Sequence, residues 1–342
     1  MPPRNQQSRP PAMMDVAAAA GVSHQTVSRV LNGTGTVAES TRERVLKAIA
    51  DLGYRRNSVA RALVTRKSGI IGVLTTTSVR FGPSSSLLAV ELAAREAGFF
   101  TAVAPVTSFT RRDVTDVFDH FLGLAVEGVI IVAPVVELIE ELAAISVAVP
   151  VVAVTSAAMG VSADVIPVSV DQEGGARQAV EHLVSLGHRD IVHVPGPSDW
   201  FDAQAREAGW RAVMEEHALP VRGPVPGGWE ASVGYEVGRR LIEEGLPTAV
   251  FAANDELALG LVHAFHEAAV EVPRDVSVIG FDDAPASEFF IPSLTTVRQD
   301  FHALGVKAVD TMVRAIEGEG SLTRTQLPAE LIVRASVSPP RR

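Results

Sequence analysis

Polar side chains follow several predicted strands in the C-terminal half of the chain. Asn254 comes directly after the apolar run 249–253, Asp282 follows 276–281, and Arg206 stands near the start of a predicted helix. Ligands of α/β sheets bind beyond the carboxyl ends of the strands. An amide, a carboxylate and a guanidinium can together hold several adjacent hydroxyl groups. These residue types therefore predict a site for a sugar-like ligand.

Trp229 and Gln299 could complete that site, since an aromatic face can cover the apolar side of a pyranose ring. Each candidate also has a purely structural interpretation. Asn254 can cap a helix that begins at Glu256, and Trp229 can be a core residue. Asp283 is more typical of a turn or cap than of a ligand contact. The sequence alone leaves these alternatives open.

Catalytic patterns are weak. Asp282 and Asp283 are adjacent on one loop, whereas glycoside hydrolysis needs two carboxyls on opposite sides of the bond. There is no Gly-x-Ser-x-Gly elbow, P-loop or His-Glu-x-x-His motif, and His182 with His188 lacks metal-ligand spacing. We expect no enzyme, cofactor or metal site. A sugar-binding protein or glycoside-processing enzyme without a DNA-binding role is the alternative.

The N-terminal segment is predicted to form three short helices. Gly21 ends the first helix, Ser23 caps the second and Ser40 caps the third. The predicted helices are Met13–Ala20, His24–Leu31 and Thr41–Leu52. The tight turn at Gly21 between two short helices predicts a helix-turn-helix.

The second of these helices carries side chains that are suited to DNA. His24, Gln25 and Arg29 would project into a major groove, where Arg and Gln can make bidentate bonds to base edges. Thr26 and Ser28 are better placed for phosphates. A small helical bundle without a DNA partner is the structural alternative.

Charge is distributed unevenly along the chain. Residues 1–67 hold eleven Lys and Arg against four Asp and Glu, a net charge of +7, although the whole chain carries −10. The remainder therefore carries −17. A basic head on an acidic body indicates that the head meets a polyanion. A solvated basic terminus with no partner is the alternative.

From Ser68 onward, short β-rich runs alternate with helix-length segments. Near-continuously apolar strands in such an alternation are typical of doubly wound parallel sheets. About ten strands exceed one such sheet, so two α/β lobes with a ligand cleft between them are predicted. The predicted strands are Ile70–Thr75, Phe99–Val106, Gly128–Ala133, Val149–Val154, Val165–Val170, Ile191–Pro195, Thr248–Ala253 and Val276–Phe281. The predicted helices include Ser86–Ala97, Gly174–Leu186, Ala203–Glu216, Ala231–Glu243 and Glu256–Ala268.

Composition excludes several classes of protein. Cysteine is absent, so there is no disulfide framework or thiolate metal site. No run of 18 apolar residues lacks a charge, and the first eleven residues contain no apolar signal region. We expect a soluble cytoplasmic protein that does not contact a membrane.

Several motifs in order give the chain a specific resemblance. The run from Asp15 to Asn32 is similar to the DNA-binding headpiece of the lactose-repressor (LacI/GalR) family of bacterial transcription regulators. The similarity continues through Thr41–Val45 to Asn57–Leu63, the hinge helix of the family, and then covers nearly the whole chain. Its later landmarks are Ile71–Val73, His182–Leu183, Leu186–His188, Gly196–Pro197, Arg206 with Gly209–Trp210, Ala253–Asp255, Gly280–Asp283, and Pro292–Val297 followed by Gln299.

The resemblance implies a homodimeric repressor that binds operator DNA and whose operator affinity a small carbohydrate controls. It implies a helix-turn-helix headpiece on a two-lobed, doubly wound α/β core like that of periplasmic sugar-binding proteins. The implied divisions are a disordered tail over 1–11, a DNA-binding domain over 12–56, a hinge and linker over 57–67, and a core over 68–338.

The resemblance also assigns residues. Leu63 would wedge into the central base step of the minor groove, which bends the duplex. The implied DNA contacts are His24, Gln25, Thr26, Ser28, Arg29, Asn32, Asn57, Ala60 and Leu63. The implied effector contacts are Thr75, Pro83, Arg206, Trp229, Asn254, Asp282, Gln299 and Phe301.

Some positions depart from the family pattern. Ala12 replaces a helix-capping Thr, and Arg56 replaces a proline before the hinge. Thr155 stands roughly where the lactose repressor has an acidic contact, which argues against a galactoside in particular. The leucine-rich tail that makes the lactose repressor a tetramer is not present after the last strand, so we expect a dimer.

Overall fold

The computed structural model divides the chain into two compact units, Met1–Ser68 and Gly69–Arg342. It describes residues 11–54, 67–77, 80–133, 135–143, 145, 147–156, 165–320 and 322–341. The predicted hinge, with Asn57, Ala60 and Leu63, lies outside the described residues. So does nearly all of the predicted N-terminal tail.

The N-terminal unit contains three helices around a small apolar core. The helices are α1 (Met13–Ala20), α2 (His24–Asn32) and α3 (Glu39–Leu52). One valine from each helix is fully buried in this core: Val16, Val27 and Val45. The turn between α1 and α2 passes through Gly21 at φ 63°, a conformation that glycine adopts without steric cost.

The N-terminal caps of α1 and α2 agree with the sequence analysis, and the cap of α3 differs from it. The Ser23 hydroxyl accepts from the Thr26 amide at 3.2 Å, as predicted for the cap of α2. Ala12 provides no side-chain cap for α1, but its amide donates to the Asp15 carboxylate at 2.7 Å. The predicted Ser40 cap is wrong. Helix α3 begins at Glu39 after Ala38, so Ser40 lies inside its first turn.

The core consists of two α/β lobes. The first lobe has a parallel six-stranded sheet in the order β10-β5-β4-β3-β1-β2, and the second has a five-stranded sheet in the order β11-β9-β8-β7-β6. In the second sheet β11 is antiparallel to β9, and the other pairs are parallel. The strands are β1 (Ile70–Thr76), β2 (Phe100–Val106), β3 (Gly128–Val132), β4 (Val151–Val154), β5 (Val165–Val170), β6 (Ile191–Val194), β7 (Ala249–Ala252), β8 (Ser277–Asp282), β9 (Thr295–Arg298), β10 (Thr325–Leu327) and β11 (Glu330–Ile332).

Helices cover both sheets. They are α4 (Phe81–Glu96), α5 (Arg111–Gly123), α6 (Val136–Ala143), α7 (Gln172–Ser185), α8 (Phe201–Glu216), α9 (Ala231–Glu244), α10 (Asp255–Glu267) and α11 (Phe301–Ile316). Helix α4 begins at Phe81, five residues before the start that was predicted at Ser86. Pro83 can stand in the first turn of the helix, because the N–H that proline lacks has no partner at that position. No helix among the described residues is long and apolar enough to span a membrane.

The chain passes between the lobes three times. It leaves the first lobe after β5, returns between β9 and α11, and crosses again between β10 and β11. Gln172 follows the first crossing and Gln299 lies on the second. Both side chains are therefore held at the boundary of the two lobes, where the carboxyl ends of the strands meet.

Candidate functional site

Helix α2 presents an exposed polar surface. His24, Gln25 and Arg29 are exposed, whereas Val27 and Val30 of the same helix are buried. The anchoring of α2 through Val27 and the Ser23 cap fixes the direction of these side chains. Long, exposed donors on a short anchored helix can read base edges in a major groove.

Two smaller side chains of α2 behave differently. The Thr26 hydroxyl lies 2.9 Å from the Ser23 hydroxyl, and both Thr26 and Ser28 are only half-buried. Asn32 is the last residue of α2. The hydroxyls of Thr26 and Ser28 are short and close to the backbone, which suits contacts that position a helix on phosphates.

The core contains a cavity between its two lobes, with a volume of about 650 Å³ including the part open to solvent. The first lobe contributes mainly apolar and hydroxyl groups, and the second contributes the buried charges. The lining residues are Arg80, Phe81, Gly82, Pro83, Ser86, Val132, Val154, Thr155, Ser156, Ser169, Val170, Gln172, Trp200, Asp202, Arg206, Trp229, Asn254, Asp282, Gln299, Phe301 and Leu304.

Arg206 organises the polar wall of the cavity. Its side chain is 4% exposed, and its guanidinium lies 3.8 Å from the centre of the Phe281 ring. Nε donates to Gln172 at 2.9 Å, Nη1 to the Ala253 carbonyl, and Nη2 to Asp282 at 3.3 Å. A buried guanidinium with this many partners has one orientation.

Asp282 is the carboxylate partner of Arg206. Its Oδ1 also accepts from Gln299 at 2.7 Å, and Gln299 in turn accepts from Gln172 at 2.7 Å. Burial raises the pKa of Asp282 to about 6, although Arg206 and Gln299 act in the opposite direction. The carboxylate is therefore ionised mainly above this pH and can accept ligand hydroxyls there.

A second buried carboxylate supports the loop that carries Asp282. Asp255 accepts from the Thr296 and Ser287 hydroxyls, each at 2.5 Å, and from the Ala284 amide at 2.8 Å. Burial, with a smaller contribution from Asp282, raises the pKa of Asp255 to about 7. The backbone at Asp282 has φ 107°, which a non-glycine residue adopts only when its surroundings hold it.

Asp283 lies outside the cavity wall. Its φ is 50°, and its carboxylate accepts from Arg298 and Arg334, both at 2.7 Å. The structure thus supports the structural interpretation of Asp283. The adjacent pair Asp282 and Asp283 does not place two carboxylates in one site.

Asn254 and Trp229 each have a structural role and also line the cavity. Asn254 caps α10 by accepting from the Leu257 amide at 2.8 Å, and it donates to the Trp229 carbonyl at 3.2 Å. Trp229 is 6% exposed, packs in the second-lobe core and makes an edge contact with Trp200 at 5.6 Å. Both also line the cavity, so the structural and ligand interpretations coexist at each residue.

Aromatic groups close the cavity from the first lobe. Phe301 meets Phe81 edge to face, with ring centres 5.6 Å apart, and both line the cavity beside Pro83. Trp210, by contrast, is buried in the core, and Trp200 lines the cavity.

Seven of the eight predicted effector residues line the cavity; Thr75 does not. Thr75 lies on β1 and is 5% exposed, and its hydroxyl donates to the Val132 carbonyl at 3.2 Å. A β-strand alternates its side chains between faces, and the resemblance alone did not resolve which face Thr75 takes.

The polar residues of the cavity that the sequence reasoning missed include Gln172, Ser156 and Asp202. Asp202 lies one helical turn before Arg206, on the same face of α8, and this spacing was the available signal. Its carboxylate accepts from the Ser156 hydroxyl at 2.6 Å. Burial raises its pKa above the ordinary aspartate value.

Metal-ligand geometry is absent from the described ranges, where no group of three or more His, Asp and Glu could hold a metal ion. Buried hydrogen-bonding atoms without a protein partner do occur at the cavity. They are the Ser169 hydroxyl on β5 and the Trp229 indole Nε1. The donor set of the cavity therefore suits an organic ligand with hydroxyl groups.

Two family models match the chain. Residues 12–57 match bacterial regulatory proteins of the lacI family, and residues 180–337 match the periplasmic binding protein-like domain. The Lactose operon repressor of Escherichia coli (strain K12) is 34% identical over 336 residues, which cover 97% of this chain and 92% of that protein.

Solved structures extend the likeness to three dimensions. The lac repressor dimer bound to operator and the anti-inducer ONPF has a TM-score of 0.86 and 34% identity, over 96% of this chain and 100% of that chain. A complex of the transcriptional regulator CelR with cellobiose has a TM-score of 0.68 and 29% identity, over 95% and 99% of the two chains.

Proposed function

The chain belongs to the lacI family of bacterial regulatory proteins, and we propose that it is a homodimeric transcriptional repressor with a small carbohydrate as its effector. The solved relatives supply the two kinds of partner. One is a dimer bound to operator, and another holds cellobiose.

One observation carries the proposal. The same chain holds an exposed set of polar side chains on α2 that are suited to base edges, and a buried polar cavity in a separate unit. A DNA reader without regulation does not need the cavity, and a sugar-binding protein does not need α2. Operator DNA would engage His24, Gln25 and Arg29. The carbohydrate would engage Arg206, Asp282 and their partners.

Regulation follows from linkage. A ligand that binds preferentially to the form with low operator affinity weakens operator binding, and operator weakens ligand binding by the same factor. The hinge of residues 57–64 is the proposed link between the two units. A helix over these eight residues would be only about two turns long, and a helix of that length is marginal in isolation. We expect the hinge to become helical on operator.

The test combines two readouts on the full chain. Thermal shift against monosaccharides and disaccharides identifies the effector, and binding to DNA sites selected by the protein measures the regulation. We expect at least one sugar to raise Tm and to change operator affinity. If the sugar binds without changing operator affinity, it is a ligand but not an effector, and the proposed regulation is wrong.

The enzymatic alternative has one observation in its favour. Asp202 and Asp282 both line the cavity, and burial raises the pKa of each. Paired carboxylates are the machinery of glycoside hydrolysis. The curated relative named above is a repressor. Incubation with chromogenic glycosides separates the two functions, and we expect no release of the chromophore.

A further inference from the structure

Asp202 brings a carboxylate into the cavity that the motifs of the sequence did not predict. It stands in the first turn of α8, and the Ser156 hydroxyl from the first lobe holds one of its oxygens at 2.6 Å. The Ser156 backbone amide also donates a hydrogen bond to this carboxylate. A carboxylate accepts hydrogen bonds at about four positions, so Asp202 retains acceptor capacity toward a ligand.

The cations of the cavity are already matched. Arg206 is paired with Asp282 inside. Arg80, at the mouth, is paired with Glu230 and lies 3.9 Å from Glu256. With Asp202, four carboxylates therefore surround two guanidinium groups. The site is net negative while these groups are ionised.

Arg206 has little capacity left for an anionic ligand. Three of its five N–H groups donate to protein acceptors, and one face of the guanidinium lies against Phe281. Bidentate recognition of a phosphate or carboxylate needs two parallel N–H groups. An anion that accepts from the two remaining N–H groups would share the guanidinium with the Asp282 carboxylate, and the two negative charges would repel each other.

We propose that Asp202 determines the charge class of the effector: the cavity takes sugars without an anionic group, and a ligand hydroxyl donates to the Asp202 carboxylate. This inference rests on the proposed function, because it concerns the same cavity. It excludes sugar phosphates and uronic acids as effectors. It also makes Asp202 a specificity-determining residue beside the predicted Arg206 and Asp282.

The experiment compares neutral sugars with their anionic derivatives at pH 7.5. The probes are glucose, galactose, ribose, cellobiose and lactose, with glucose 6-phosphate, glucuronate, galactose 6-phosphate and galacturonate as the anionic set. Thermal shift ranks the probes, and calorimetry gives the affinity of each that binds. The proteins are the wild type, Asp202→Asn and the control Glu207→Gln.

Glu207→Gln is a matched control for charge. Glu207 is the neighbour of Arg206 on α8, and it pairs with Arg211 outside the cavity wall. Both substitutions remove one negative charge from the same helix, but only Asp202→Asn removes it from the cavity. Asp202→Ser serves as a second cavity variant if the asparagine variant has a lower Tm without ligand.

We expect a neutral sugar to stabilise the wild type and no anionic sugar to do so. Asp202→Asn should lower the affinity for the neutral sugar by about 10-fold or more, because a hydrogen bond to a charged group contributes about 1.5–3 kcal/mol. The same variant should reduce the discrimination against the anionic derivative. Glu207→Gln should leave both affinities at the wild-type values.

Two results would overturn the inference alone: an anionic sugar that binds the wild type as tightly as its neutral parent, or an unchanged neutral-sugar affinity in both Asp202 variants. If no sugar stabilises the wild type while the protein still binds DNA, the carbohydrate effector fails and the inference fails with it. The two failures are therefore distinguishable.

Discussion

The two recognition surfaces of this protein are built in opposite ways. On α2, the proposed base-reading side chains His24, Gln25 and Arg29 are exposed and project separately from an anchored helix. In the cavity, Arg206 and Asp282 are buried and hydrogen-bonded to each other and to further residues. Loss of one exposed reader should cost recognition alone. Loss of one cavity residue should also disturb its neighbours.

The largest expected effect is on stability, at the carboxylate behind the cavity. Asp255→Ala leaves the Thr296 and Ser287 hydroxyls and the Ala284 amide without their acceptor. We expect a loss of about 3 kcal/mol or more in the free energy of unfolding of the core, since each unsatisfied buried donor costs about 1–3 kcal/mol. Urea denaturation measures it. A cost similar to that of Ser287→Ala, which removes only the bond from the Ser287 hydroxyl, would show that the network does not act as a unit.

Asp282→Asn should have the next largest effect, on ligand affinity. The substitution removes the charge that is paired with the buried Arg206. We expect affinity for the effector sugar to fall by about 100-fold, because the variant lacks the charged acceptor for ligand hydroxyls, and hydrogen bonds to charged groups contribute about 1.5–3 kcal/mol. Asparagine tolerates the positive φ of this position. Calorimetry measures the change, with Asp283→Asn as the control, because Asp283 lies outside the cavity wall. Equal losses in the two variants would contradict the assignment of Asp282.

Arg29→Ala tests the exposed surface of α2, in contrast to the buried cavity. We expect a loss of about 1–3 kcal/mol of discrimination at one base pair, the usual contribution of a bidentate contact. Tm should not change, because the side chain is exposed. Arg44→Ala, on the exposed surface of α3, is the control. Equal weakening of Arg29→Ala on all DNA sequences would identify a phosphate contact instead.

The smallest effect is the pH dependence of sugar binding. The pKa of Asp282 is raised to about 6, and a ligand hydroxyl needs the ionised form as its acceptor. Affinity should therefore fall as pH decreases below 6, by about tenfold at most for each unit of pH. Titration calorimetry from pH 5 to 8 tests this. An affinity that is constant over that range would mean that ionisation of Asp282 is not needed.

The two surfaces also differ in how well the sequence predicted them. Helix α2 was predicted to within one residue, because Gly21, Ser23 and the valine spacing are local signals. The predicted cap at Ser40 is wrong because serine is a suitable residue type for a cap, but the helix begins one residue earlier, at Glu39. Asp255 has its acceptor role only through contacts with residues about 30 to 40 positions away, which no local pattern encodes.

The cavity shows the same limit in another form. Seven of the effector candidates that the resemblance implies line the cavity, whereas Thr75 does not, and the resemblance passed over Asp202. Both outcomes depend on which way a side chain faces after the lobes come together. Ser156 and Asp202 meet across the boundary of the lobes, 46 residues apart in the chain.

The most direct test of the central claim is operator affinity with and without the effector sugar. Fluorescence anisotropy of a labelled DNA site selected by the protein gives Kd in each condition, for the wild type and for Asp282→Asn. We expect a saturating sugar to change the wild-type Kd by about 5-fold or more, the usual range of allosteric coupling. Asp282→Asn should keep the sugar-free Kd and should show no change at the same sugar concentration. A wild-type Kd that is identical with and without a bound sugar would contradict the account.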